Sequence, residues 1–467
     1  MGYLLSLIFL ATTYLGVDTV FGPLAPYHVE QVMAMFVVLA SLAEIQNSAL
    51  TKSYQMLATT GVAVAIFCSI LIGRMWPSGA LGGLMDFFPV MFAFVVACLH
   101  VKTMKRLQIL VLLLFSISVF VIVRGKIDVR QAMAQEYGDQ ADSGALAKSD
   151  AELQAEENAY YVSQRNDQGV TIYRIRGQNF LNDPNDFGQF LVMLTPMMFL
   201  FWKRQNPVWN LAAVMIPSGV LLYGIFLTHS RGALMALMVM LIVAGRKKLG
   251  VVRSLMASAL LYVAASALHF TGGREISSAG NDRSSLWGAG LGLFRQHPLF
   301  GVGLGAMPDH IGHTAHNSVI VCAAELGLMG LFFWAMLLYS SGLEVSRLAS
   351  AVPPPEDFVP PQSSSFPYAS ASGESKGTSL EQFHHVGKVL LLSATGYIAA
   401  AWFLSRATNM SLFLLGGLIA AFYQEALDRG MVPPRIESGT LIVRNIAVTA
   451  GLLLLAYGAT VGVNLSH

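Results

Sequence analysis

The chain has 467 residues, of which 54% are hydrophobic and 12% charged, and its formal net charge is +2. A soluble domain carries about 25% charged residues, so this composition excludes a water-soluble globular protein, and the near-neutral balance gives nucleic acid no footing. With a mean hydropathy of +0.57, lipid must be the main solvent. Cys68, Cys98 and Cys322 all fall in apolar stretches, as small core side chains and not as a disulfide framework. The opening residues formally fit a myristoylation pattern but run straight into an apolar helix. No cationic residue precedes that run, as a cleaved leader would require.

Apolar runs follow one another near 3–21, 29–46, 55–73, 80–100, 107–124, 186–202, 208–228, 233–245, 251–269, 318–341, 388–405, 411–426 and 441–463. A span needs about 20 apolar residues, and open sheets cannot satisfy their backbone in hydrocarbon. The expected fold is therefore all-α, a polytopic transmembrane helical bundle of about 12–13 spans. The clusters Lys102, Lys105 and Arg106, then Lys203 and Arg204, then Arg246, Lys247 and Lys248 fall on one side. The positive-inside rule makes that side, and the N-terminus, cytoplasmic.

This topology divides the chain into N-terminal helices 1–124, a long outer loop 125–185, central helices 186–269, and a second outer loop 270–317. A helix at 318–341, an inner linker 342–387 and C-terminal helices 388–467 follow. The linker holds Pro353, Pro354, Pro355, Pro360 and Pro361 before a Ser-rich tract and reads as a disordered connection. The outer face carries eleven arginines (Arg74, Arg124, Arg130, Arg165, Arg174, Arg176, Arg231, Arg274, Arg283, Arg295 and Arg406) but two lysines, Lys126 and Lys148. Topology needs only charge, so an arginine excess on the far side points to geometry. The guanidinium fork matches phosphate oxygens in a bidentate way, and an ammonium does not.

Three constellations carry the candidate chemistry. In the first, Arg174 and Arg176 precede Asp183-Pro184-Asn185-Asp186. The latter is turn and helix-start chemistry with Asn185 or Asp186 as the expected cap, and the two arginines are placed to meet an anionic headgroup. The second is His229-Ser230-Arg231-Gly232, where an arginine between apolar helices either snorkels to the interface or faces a wet cavity.

The third runs from Arg283 and Trp287, the latter expected in the interfacial belt, through Pro298 and the glycines 301, 303 and 305 to His310, His313, His316 and Asn317. The glycine pattern has no βαβ context for a dinucleotide and reads as a flexible re-entrant turn. The three histidines recur every three residues, roughly one helix face. Metal ligation, a structural polar cluster and a catalytic base all fit that spacing. The intramembrane acids Asp18, Glu44, Asp86 and Glu325 are further candidates.

Arg231 in Ser-Arg-Gly, Arg283 in Asp-Arg-Ser-Ser-Leu-Trp, Pro298 with its Gly-Val-Gly-Leu-Gly turn, and His316-Asn317 before Glu325-Leu-Gly-Leu-Met-Gly follow one another in order. Over about residues 180–340 the chain resembles the O-antigen ligase and polymerase family. That resemblance implies a GT-C-like glycosyltransferase of the bacterial inner membrane, without cofactor or metal, acting on the periplasmic face. It implies a glycan donor on undecaprenyl diphosphate and, as acceptor, lipid A–core for a ligase or another lipid-linked glycan for a polymerase.

Residue by residue, Arg231 and Arg283 match the arginines that hold the diphosphate and His316 matches the essential histidine. Arg174 and Arg176 would add to the diphosphate site, and His313, Asn317 and Asn185 would support it. Direct displacement would invert the anomeric centre. A transporter or flippase for lipid-linked saccharides is the alternative that the many spans and buried acids also suit.

Overall fold

A computed structural model describes residues 2–17, 29–41, 45, 49–139, 158–166, 168–272, 278–354 and 379–465, with side chains at 135–139, 278–283 and 462–465 outside the description. In chain order the main elements are α1 (Gly2–Leu15), α2 (Val29–Ser41), α3 (Tyr54–Gly73), α4 (Pro77–His100) and α5 (Met104–Asp139). The strands β1 (Tyr161–Arg165) and β2 (Thr171–Ile175) come next, then α6 (Pro184–Met197), α7 (Pro207–Thr228), α8 (Arg231–Gly245) and α9 (Val251–Ala267). The chain closes with α10 (Ser278–Gln296), α11 (Met307–Ile311), α12 (Ser318–Leu348), α13 (Leu380–Ala401), α14 (Met410–Asp428) and α15 (Ser438–Leu465).

The protein is a polytopic helical membrane protein. Every apolar run read from the sequence coincides with a helix. Among the described residues, seven helices are long and apolar enough to cross a membrane, and α1, α2, α8 and α9 are shorter apolar helices.

The two long segments between apolar runs hold more structure than loops. α5 continues to Asp139, and Tyr161↔Ile175 to Arg165↔Thr171 pair as an antiparallel hairpin. Asn166 Oδ1 closes that hairpin by accepting from the Gln168 and Val170 N–H groups. Further along the chain, α12 runs on to Leu348. α13 begins at Leu380 behind a capping box, in which Ser379 and Gln382 satisfy each other's backbone N–H. The Ser-rich tract, Pro355, Pro360 and Pro361 lie outside the described residues, as do Asp18 and Glu44. Asp86 is exposed on α4.

The chain divides into two compact units. Unit 1 comprises residues 1–6, 34–109 and 276–467. Within it α4 lies along α14, and α12 packs on α3, α13 and α15. The approach of α4 to α14 is close because Gly417 has no Cβ: one placed there would lie 2.6 Å from the Phe94 carbonyl oxygen. The buried charge of Glu344 is paired, as desolvation demands: it accepts from Arg435 at 2.7 Å and from Gln55 at 2.8 Å. Unit 2 comprises residues 7–33 and 110–275. Its centre is α6, buried along nearly its whole length against α7 and α8, with Tyr14 packed on Phe180 and Phe190.

Candidate functional site

In unit 2 the hairpin, the start of α6 and the α7–α8 turn bring the first two constellations together. The cap of α6 is Asp183, whose carboxylate accepts from the Asn185 N–H at 2.6 Å. Pro184 occupies the first helical position, where its missing donor is not needed. The sequence expectation of Asn185 or Asp186 as cap is therefore corrected to Asp183. The Asn185 side chain instead binds across the cluster, where its Oδ1 accepts from Arg174 Nη2 at 2.9 Å and from Ser230 Oγ at 2.9 Å. Arg174 also donates from Nε to the Thr228 carbonyl at 2.9 Å. Ser230 caps α8 by accepting from Ala233 N–H, which sets Arg231 as the first residue of that helix.

The electrostatics of this cluster are unusual for a structural one. Arg174 is buried, and burial lowers its pKa; Asp183 opposes that shift and the nearby Arg231 adds to it. The folded state thus binds this proton less tightly than the unfolded chain does. At every pH where both states carry the charge, the charge lowers stability, and a guanidinium remains charged throughout the working range. Of the two charged neighbours, the Asp183 carboxylate acts on Arg174 more strongly than the Arg231 guanidinium does. Arg176 serves differently, donating to the Ala159 carbonyl at 3.2 Å and the Asn182 carbonyl at 3.3 Å, so it ties the hairpin base to the turn before α6.

In unit 1 the glycine-rich turn is a fixed wedge and not the flexible re-entrant turn its composition suggests. Gly327 leaves helical geometry with φ +66°, and the turn fills the break. Val302 N–H donates to Ala324 O at 2.9 Å and Gly303 N–H to Glu325 O at 3.0 Å, while Leu328 N–H donates to Pro298 O at 2.8 Å. A Cβ on Gly327 would sit 2.4 Å from the Leu299 carbonyl, and one on Gly301 2.3 Å from that of Glu325. Both glycines have positive φ, the region an L side chain resists. Glu325 completes the wedge, its carboxylate accepting from the Gly305 N–H at 2.9 Å and the Met307 N–H at 3.4 Å. Its role here is a backbone clamp beside the Arg74–Asp309 ion pair of 2.6 Å.

The histidines do not share a helix face. α11 ends at Ile311 because Gly312 turns left-handed with φ +79°, so only His310 is helical. His313 is exposed and His316 half-buried. Among the described residues, no group of three His, Cys, Asp or Glu side chains is placed to hold a metal ion. His316 itself adopts φ +48°, a conformation that costs about 1–3 kcal/mol and persists only where its surroundings impose it.

Those surroundings are specific. Asn317, fully buried, caps α12 by accepting from the Val319 and Ile320 N–H groups. Trp287 is buried and donates from Nε1 to the Ala315 carbonyl at 2.7 Å. The Arg283 side chain lies outside the described residues; its backbone belongs to α10.

Sequence reasoning missed the segment 402–409. Ser405 Oγ lies 3.0 Å from His316 Nδ1 and 2.6 Å from Thr314 Oγ1, and the Trp402 ring meets Trp287 edge to face at 6.3 Å. The apolar run read from the sequence takes in its first residues, through Ser405, whereas the helix ends at Ala401. No curated protein matches the chain. Residues 216–335, which hold Arg231, Arg283, the wedge and His316, match the family model described as O-antigen ligase. That match, over about a quarter of the chain, supports the resemblance to the O-antigen ligase and polymerase family read from the sequence.

Proposed function

We propose that the protein transfers a glycan from undecaprenyl diphosphate to a hydroxyl acceptor on the periplasmic face of a bacterial inner membrane. The acceptor is lipid A–core if it works as an O-antigen ligase, or a second lipid-linked glycan if it works as a polymerase. The observation that carries this reading is the match of residues 216–335, which hold Arg231, Arg283 and His316, to the O-antigen ligase family model. Arg174, oriented by Asn185 and Thr228, supports it as a held guanidinium suited to phosphate oxygens.

In the proposed reaction the acceptor oxygen forms a bond to the anomeric carbon as the bond to the diphosphate oxygen breaks, which inverts that centre. Arg174, Arg231 and Arg283 take up the negative charge of the departing diphosphate. His316 accepts the proton of the acceptor hydroxyl. Stabilisation of developing charge by one positioned donor is worth about 2.7–4 kcal/mol in other enzymes, and general-base help about 10²–10⁴-fold. Asn317 supports the histidine through the cap that ends its loop, and Asn185 supports the arginines.

The test is transfer of a labelled glycan from undecaprenyl diphosphate by the purified full chain in detergent or nanodiscs. Loss of transfer in His316→Ala and Arg231→Ala is expected. Normal transfer by His316→Ala would remove the base from the mechanism. Uptake of the lipid-linked saccharide into vesicles with no transfer would replace the enzyme by a flippase.

A further inference from the structure

We infer that Ser405 is a positioning residue for His316, working with Thr314 as a two-hydroxyl relay that holds the imidazole tautomer. This rests on the reading of His316 as the base. Ser405 lies in unit 1 but beyond the residues that match the family model, and nothing in the motif order points to it.

The geometry separates a placed hydroxyl from an incidental neighbour. Both carbonyls flanking Ser405 are pinned: Ser318 Oγ donates to Leu404 O at 2.9 Å and to Arg406 O at 3.3 Å. One residue further, Trp334 Nε1 donates to Ala407 O at 2.8 Å. The histidine side is pinned as firmly, by Trp287 on the Ala315 carbonyl and by the Asn317 cap. Ser318 follows that cap directly, so one short stretch of chain fixes both the imidazole and the hydroxyl that faces it. A left-handed His316 is what turns Nδ1 toward Ser405 instead of continuing into α12.

The chemistry follows from which nitrogen carries the proton. When Nδ1–H donates to Ser405 Oγ, the Ser405 hydroxyl donates onward to Thr314 Oγ1. The acceptor's proton then goes to Nε2. As Nε2 gains that proton the ring becomes cationic, and the Nδ1–H···Oγ bond strengthens because its donor is now charged. Ser405 thus holds the ring in place and stabilises the imidazolium, without touching substrate. A hydroxyl that stabilises the protonated ring raises its pKa, so losing the hydroxyl lowers it.

The experiment is the pH dependence of kcat/KM for glycan transfer by the full chain, with Ser405→Ala, Ser405→Thr, Thr314→Val and Ser405→Asp beside His316→Ala. A neutral base loses activity as pH falls through its pKa. Ser405→Ala should lower kcat about three- to tenfold and move the acid limb down by about half a pH unit. Ser405→Thr should restore both, and Thr314→Val should show a smaller change in the same direction. Ser405→Asp should move the limb up by about one unit.

The other carboxylate, guanidinium and imidazole side chains on α10, on residues 297–315, on α12 and on the segment 402–409 are Asp282, Arg283, Arg295, His297, Asp309, His310, His313, Glu325, Glu344, Arg347 and Arg406, and all are kept. Packing damage alone scales the rate and leaves the limb in place. Unmoved limbs in both Ser405→Ala and Ser405→Asp, with His316→Ala inactive, would overturn the relay and leave the base intact. Activity in His316→Ala would overturn both.

Discussion

The arginine cluster of unit 2 and the histidine loop of unit 1 are held by opposite means. The first fixes permanently charged groups through carbonyl and amide oxygens: Arg174 leans on Thr228 O and Asn185 Oδ1, and Asn185 is shared with Ser230. The second fixes a titratable ring through hydroxyls and a strained backbone, with Ser405 at Nδ1 and φ +48° at the residue itself. The first suits charge that must be neutralised at any pH; the second suits a proton that must come and go. The difference teaches where pH dependence belongs in this protein, namely with the ring and not with the guanidinium groups.

The sharpest way to break that comparison is to exchange the expected sensitivities. His316→Ala is expected to lower transfer about 10²–10⁴-fold and to abolish the acid limb of the pH profile. Next, Arg231→Gln should lower transfer about 10²–10³-fold with the acid limb unmoved. A melting temperature several degrees lower in Arg231→Gln would assign that residue a structural duty and weaken the contrast.

Two smaller effects sharpen the comparison from the side of stability. Gly327→Ala puts a Cβ 2.4 Å from the Leu299 carbonyl at a positive φ and should destabilise by about 2 kcal/mol or more, read as a lower melting temperature in detergent. Asp183→Ala removes the cap of α6 and should cost about 0.5–2 kcal/mol. Transfer at low temperature should stay near normal, because the acceptor oxygen on Asn185 that holds Arg174 remains.

Much of the helical framework was legible because membrane spans advertise themselves by composition. Each apolar run became a helix, since lipid leaves the backbone no other way to satisfy itself. The order of short motifs singles out Arg231 and His316, and both lie within the residues that match the family model. Other features were hidden for physical reasons. The helix spacing of His310, His313 and His316 misled because one left-handed residue, Gly312, resets the direction of the chain.

Asp183, not Asn185, capped α6 because Pro184 requires no donor and takes the first helical place. Ser405 could not be read at all: its relation to His316 spans 89 residues, and a serine at the end of an apolar run carries no local pattern.

The broken helix α12 has a consequence for how the chain enters the bilayer. Its interruption at Gly327 leaves backbone groups that hydrocarbon would not tolerate, yet their partners, Pro298, Val302 and Gly303, lie just upstream. The plug for the gap is therefore synthesised immediately before the gap itself. The two halves of α12 and the turn are suited to enter lipid as one preassembled hairpin, with contacts short enough in sequence to form early. A lengthened spacer between residues 306 and 318 should delay integration of α12 more than any equal insertion between residues 355 and 378.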